Sequence, residues 1–163
     1  MESRLRRIVY SGLSLYIAFV FVQSLFFKFT DSPETQHIFG TLNAWVLDLG
    51  LPGVFAKSGI FSQYVIGSAE LAASVLLLAG LVAGRTILHG TGALLSLAVI
   101  SGAIFFHLFT PLGVQVVNTD GSLDGGELFF LACGVWVSAA TILVMRRREI
   151  LESLPRGRGK ALA

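Results

Sequence analysis

Four apolar runs dominate the chain, at roughly Ile8–Phe27, Phe61–Ala83, Ile87–Phe106 and Leu128–Met145. Each is long enough to cross about 30 Å of hydrocarbon, which takes ~20 helical residues. A single span in lipid must satisfy its own backbone hydrogen bonds, and only a helix does so. The period-two alternation of a membrane β-strand is absent. Charged residues make up 13 % of the 163 residues, against about a quarter in a soluble domain. The expected fold is therefore all-α. It is a polytopic membrane protein, a single four-transmembrane-helix bundle over residues 1–150, with a disordered cytoplasmic tail over 151–163. The first run follows Arg4, Arg6 and Arg7. It is longer than a signal-peptide core and no small-x-small cleavage site follows it, so it is expected to be retained.

The basic residues orient the spans. With both termini cytoplasmic, ten of the twelve Lys and Arg residues fall inside, and only Lys28 and Lys57 fall outside. By the positive-inside rule this predicts an integral protein of a bacterial cytoplasmic membrane with N- and C-termini cytoplasmic. The basic residues flank spans and lack interleaved aromatics, which argues for anionic lipid headgroups and against nucleic acid. The lone Cys133 allows no intramolecular disulfide and no dithiol pair.

The segment "DSPETQHIFGTLNAWVLDLG" places Ile38, Phe39, Leu42, Trp45, Val46 and Leu49 at helical spacing. Ser32 suits the N-cap and Pro33 the first helical position, with Gly50 and Pro52 as the stop. This predicts a short amphipathic helix in the first outer loop. The sequence leaves two placements for it: flat in the interface with Trp45 at headgroup level, or packed over the mouth of the bundle. "AGRT" joins the second and third spans so tightly that they must be antiparallel neighbours, and "NTDG" suggests a small hairpin.

Each span has a stripe of small or polar residues. These are Gly12, Tyr16 and Gln23; then Gln63, Gly67, Glu70 and Ser74; then His89, Gly92, Ser96, Ala103 and His107; then Glu127, Gly134, Ser138 and Thr141. Small residues let membrane helices approach closely and polar ones bond across, so four stripes predict a bundle with its polar side inward.

Glu70 is the exception in "GSAELAASVLLLAG", a stretch otherwise made of small and apolar residues. A charge at that depth costs on the order of 3 kcal/mol, so the carboxyl must be neutral, paired or beside water. Gln23, Lys28, Asp31, His107 and Glu127 all fall in the outer half and are its candidate companions. Together they predict a ligand-binding polar pocket open to the outside, with Glu70 at its floor. Each companion has a plainer role. Lys28 lies off the Gln23 face and is expected to snorkel to headgroups. His107 suits a carbonyl bond at the interface. Glu127 follows Asp124 at capping spacing, and His89 suits an interfacial role. The catalytic residues are unknown, and the residues present offer too few ligands for a metal.

"LFFKFTDSPE", "GSAELAASVLLLAG", "SGAIFFHLF" and "DGGELFF" together resemble the DoxX family of small four-helix membrane proteins, over roughly residues 8–145. The matching positions are Phe27 and Lys28, Gly67 and Glu70, His107, and Gly125 and Gly126. The resemblance implies an architecture broadly similar to vitamin K epoxide reductase-like bundles. It also implies links to quinone-coupled sulfur oxidation or to membrane oxidoreductase complexes that handle oxidative stress. This chain lacks the cysteine pairs of the reductases and any flavin, haem or nucleotide motif. No intrinsic cofactor is expected; electrons would come through a bound quinone or a partner. Two functions follow as expectations. One is a subunit that binds a quinone or lipid-like molecule beside a membrane or extracytoplasmic oxidoreductase partner. The other is a non-catalytic scaffold or assembly factor. Besides the lipid bilayer, a second copy of the chain is a further candidate partner.

Overall fold

The computed structural model describes residues 2–118 and 120–153. Among these residues there are five helices: α1 (Glu2–Phe29), α2 (Pro33–Asp48), α3 (Gln63–Val82), α4 (Thr86–Phe109) and α5 (Glu127–Ser153). All but α2 are long and apolar enough to cross a membrane, and the protein is an integral membrane bundle. Helices α1 and α5 outrun the apolar segments that predict them. Arg, Glu and Leu are good helix formers, so the turns around Arg4–Arg7 and Arg146–Glu149 continue the spans beyond the hydrocarbon stretch. Residues 151–153, expected as tail, are the last residues of α5; 154–163 lie outside the described residues.

The four long helices close into a ring in which α1 and α4 each pack on α3 and α5. One end of this ring carries the start of α1, the α3–α4 turn and the end of α5, with Arg4, Arg6, Arg7, Arg85 and Arg146–Arg148; we call it the arginine end. The other carries α2 and the longer loops; we call it the α2 end. The core runs along the axis through Ile17, Phe21, Leu77, Val135 and Ile142.

Helices α3 and α4 lie closest. A Cβ on Gly92 would come within 2.6 Å of the Leu77 amide nitrogen and 3.0 Å of the Ala73 carbonyl, so nothing larger than glycine fits there. The turn between them is a Schellman motif: Arg85 N donates to Gly80 O (2.9 Å), Gly84 N donates to Leu81 O, and Gly84 takes φ 64°.

Ser32 caps α2 as expected, its hydroxyl accepting from Thr35 N at 3.3 Å. Of the two placements open to it, α2 takes the one over the mouth of the bundle. Leu42 and Val46 bury against Phe55 and Leu112, and Phe106 of α4 joins the cluster. Leu49, the last apolar position read for this face, is exposed. The hairpin around Asn118 and Ser122 forms as read, with Asn118 N donating to Ser122 O at 2.8 Å.

The stripe read on α1 is corrected. Gly12 and Gln23 are exposed, and no atom comes within 4 Å of a Cβ built on Gly12. The inward face is a heptad ladder instead: Tyr10, Ser14, Ile17, Phe21, Ser24 and Lys28. Small residues mark a packing seam only when a partner approaches them. The α1 face is set by polar groups on α3 and α4, which its own sequence does not display. The stripe on α3 (Gln63, Gly67, Glu70, Ser74) is buried as read; on α4 His89, Gly92, Ser96 and His107 are buried and Ala103 is half-buried; on α5 Ser138 is buried, Gly134 and Thr141 are half-buried, and Glu127 is exposed.

Candidate functional site

Glu70 is paired. Lys28 Nζ lies 3.0 Å from one carboxylate oxygen and 3.1 Å from the other. Ser24 donates to the same carboxylate at 3.3 Å and accepts from Lys28 Nζ. The expectation that Lys28 snorkels outward is therefore wrong, for a geometric reason. Side chains on a helix tilt toward its N-terminus. Helix α1 runs toward the α2 end, so Lys28 tilts back into the bundle. Helix α3 runs away from that end, so Glu70, ~10 Å along it, tilts up. Two antiparallel helices thus aim these side chains at each other. Gly67, one turn before Glu70, opens the path: a Cβ there would meet the Phe29 ring at 3.1 Å and the Lys28 side chain at 3.6 Å.

A second layer holds the pair from above. Gln63 Nε2 donates to the Lys28 carbonyl (3.0 Å), an orphan at the α1 C-terminus, and to Asp31 Oδ1 (2.8 Å). Asp31 caps α1 in the left-handed region, φ 55°, a conformation glycine takes more readily. Its carboxylate explains its presence there. Hydrogen bonds from Lys57 and then Gln63 hold the carboxyl below its ordinary value. Lys57, in turn, is raised by that same bond.

Three of the expected companions of Glu70 stand elsewhere. Gln23 faces outward on α1. Glu127 is exposed at the first position of α5, where Asp124 provides the cap by accepting from Gly126 N (2.9 Å) and Leu128 N (3.1 Å). His107 is buried, but its Nδ1–H donates to the Gly113 carbonyl at 2.7 Å and its ring sits edge-on to Phe129. It pins the loop after α4, and no hydrogen bond or ion pair links it to Glu70. The residues missed from sequence are Ser24 and Lys57, the partner of Asp31. Ser24 lies four residues before Lys28 on the same ladder, and that spacing was the available signal.

The arginine end holds a second polar group. His89 was expected at the interface, yet it is completely buried. Its Nε2 lies 2.8 Å from Ser14 Oγ, a bond across the diagonal of the ring, and its Nδ1 is buried without a partner. Tyr10 packs edge-on to His89 and lies under the Arg146 guanidinium, 4.4 Å from ring centroid to Cζ. Among the described residues no group of three or more His, Cys, Asp and Glu side chains lies close enough to hold a metal.

No family model, no curated protein and no solved structure matches the chain.

Proposed function

We propose that this chain is a membrane-embedded binding subunit that takes the polar head of a quinone or lipid-like amphipath at the Lys28–Glu70 pair. The carrying observation is the pair itself, an ammonium and a carboxylate 3.0 Å apart at the α1–α3 interface, with side chains 15 % and 7 % exposed. Burying two charges costs several kcal/mol per ion, and apolar packing of similar volume stabilises a bundle as well or better. A pair kept at that cost and still reachable from its Lys28 side suits a ligand more than a lock. Its chemistry fits a quinone head. Lys28 Nζ and Ser24 Oγ offer donors to a carbonyl oxygen, and Glu70 offers an acceptor to a hydroxyl and a place to hold a proton. Exposed Phe29, Val65 and Leu71 flank the pair on α1 and α3 and supply a surface for an apolar tail.

The resemblance of the Phe27–Lys28 and Gly67–Glu70 motifs to DoxX proteins supports a place in a membrane oxidoreductase system. A bound quinone carries electrons there, and a partner exchanges them. The clustering of arginines at one end supports cytoplasmic termini, which set the pair in the outer half of the membrane.

The second reading is a scaffold in which the pair only locks α1 to α3. It is favoured by the completeness of the Ser24–Lys28–Glu70 network without any ligand. Mass spectrometry of small molecules co-purifying with wild-type protein and with Glu70→Gln separates the two, provided a thermal melt shows the variant folded. A stoichiometric amphipath lost in the variant supports the binding subunit. Equal retention, or an empty protein in both preparations, refutes it and leaves the scaffold.

A further inference from the structure

At the arginine end a cleft of about 360 Å³ opens between the start of α1, the α3–α4 turn and α5. Arg6, Arg7, Tyr10, Arg146 and Glu149 line it, and Leu81 and Val82 form its apolar wall. We propose that this cleft is a phosphate site, and that the phosphate it takes is the head group of an anionic phospholipid. The site lies at the opposite end of the bundle from Lys28 and Glu70 and stands independently of the function proposed above.

Charge is the first argument. Three guanidinium groups face one carboxylate, so the lining is left with two positive charges uncompensated. Glu149 spans two of them at long range, 3.4 Å from Arg6 and 3.5 Å from Arg146, and is itself 39 % exposed. A carboxylate bridging two guanidiniums marks where an anion sits, and one so exposed is readily displaced by a phosphate with more acceptor oxygens.

Arg146 is the second argument. Burial of an arginine is rare unless every N–H is used. Arg146 is nine-tenths buried, its Nη1 donates to Thr86 Oγ1 at 3.1 Å, and its Nε is buried with no partner at all. Stacking on Tyr10 fixes the plane of the guanidinium. Arg6 is also held, its Nη2 donating to the Met145 carbonyl at 2.7 Å and to Tyr10 Oη at 3.2 Å. The two forks are therefore placed before any ligand arrives, which reduces the ordering cost of binding.

The apolar wall identifies the carrier. Val82, the last residue of α3, is 84 % exposed and lines the cleft together with the guanidiniums. An acyl chain continues from a phosphate along such a wall; a free phosphate gains nothing from it.

The test uses the full chain in detergent, titrated with phosphatidylglycerol and with phosphatidylcholine and read by native mass spectrometry. One phosphatidylglycerol should bind in roughly tenfold preference to phosphatidylcholine, whose phosphate carries a choline cation that the unbalanced guanidiniums repel. The Arg6→Gln/Arg7→Gln variant should bind it about tenfold more weakly. Arg147→Gln/Arg148→Gln removes the same charge from exposed residues of α5 that do not line the cleft, and should change binding less than about twofold. Equal losses in the two variants would mean diffuse surface attraction and would overturn the site, as would no loss in either. Arg146→Lys keeps the charge but not the planar fork, and should weaken binding several-fold; if it fails to fold, the paired double variants still decide. Inorganic phosphate in large excess should leave the lipid bound. Displacement at equimolar phosphate would overturn the lipid assignment in favour of a soluble phosphate.

Discussion

Removing either member of the Lys28–Glu70 pair should cost far more than its share of removing both. At 3.0 Å, an effective dielectric of about 20 gives a gross attraction of roughly 5 kcal/mol. Desolvating the two ions consumes most of it, since the penalty is several kcal/mol each. The intact pair is thus nearly neutral for stability, but each half alone is not. Glu70→Gln leaves the Lys28 ammonium facing an uncharged amide, and Lys28→Met leaves the Glu70 carboxylate with only the Ser24 hydroxyl. Each single change should destabilise the bundle by about 3 kcal/mol. The double variant should lose only about 2 kcal/mol, because no orphan charge remains and the amide that replaces the acid still reaches Ser24. The coupling in a double-mutant cycle is then about 4 kcal/mol. Reversible unfolding in mixed micelles measures it, with Trp45 and Trp136 as the fluorescent reporters. Additive single-variant losses would refute the geometry, because they would mean the two side chains do not meet in the folded protein.

Four further perturbations follow from the packing and the loops. Gly92→Val drives a side chain into the Leu77 amide at 2.6 Å and should destabilise by about 2 kcal/mol. Gly40→Ala in α2 meets open space and should gain up to about 0.5–1 kcal/mol, both read from the same unfolding curves. Ser14→Ala strips the buried His89 Nε2 of its hydroxyl and should cost about 1–3 kcal/mol, whereas Ser68→Ala, on an exposed face of α3, should be silent. At Asp124, burial alone would raise the carboxyl, but hydrogen bonds from the amides of Val116, Gly126 and Leu128 outweigh it and hold the group below its ordinary value. The stabilisation this gives is present in full above the ordinary carboxyl range and is lost as pH falls through the depressed folded value. The protection of those three amides, taken relative to the intrinsic exchange rate at each pH, should therefore fall below about pH 4. Asp124→Asn should remove that acid step, and its persistence in the variant would show that another carboxyl sets it.

The parts of this fold that were legible are those a single helix declares by itself. Apolar length gives the spans, because a bilayer accepts nothing shorter and nothing with bare backbone. Ser32–Pro33 and "AGRT" give local caps and turns that depend on neighbours a few residues away. On α3 the stripe from Gln63 to Ser74 was legible because a lone acid among small residues has one sensible direction to face. On α1 the same logic failed. Gly12 and Gln23 look like an inward face, but both are exposed. Ser14, Ser24 and Lys28 look indifferent until His89 and Glu70 are known to stand opposite. The pairing of Lys28 required the sense of tilt on two antiparallel helices, a tertiary fact. The Arg146–Tyr10–Arg6 assembly required α5 to continue past its apolar run, which hydropathy by construction ends too early.

The two polar ends of the bundle differ in charge balance, and that difference decides what each can accept. At the α2 end each lysine among the described residues has its anion: Lys28 with Glu70, Lys57 with Asp31. A neutral pair in low dielectric repels neither an uncharged head nor its proton, but an added anion there would have to compete with Glu70 and leave a net charge buried. On the binding function proposed above, uncharged hydrogen-bonding heads are the ligands such a site would tolerate, and a quinone is one. In the cleft at the arginine end the cations outnumber the lone Glu149, and one guanidinium keeps a buried N–H unused. A neutral ligand there would leave that excess in place; only an anion removes it. The ladder on α1 runs from Tyr10 at one end to Ser24 and Lys28 at the other, so a single helix face serves both. Tyr10 and Lys28 stand ~27 Å apart along the helix, with the buried Ile17 and Phe21 between them, and it is that distance, well beyond a Debye length, that keeps the two ends electrostatically separate. The charge balance at the arginine end should therefore set its affinity: Glu149→Gln should tighten phosphatidylglycerol binding there, and Glu70→Gln should not.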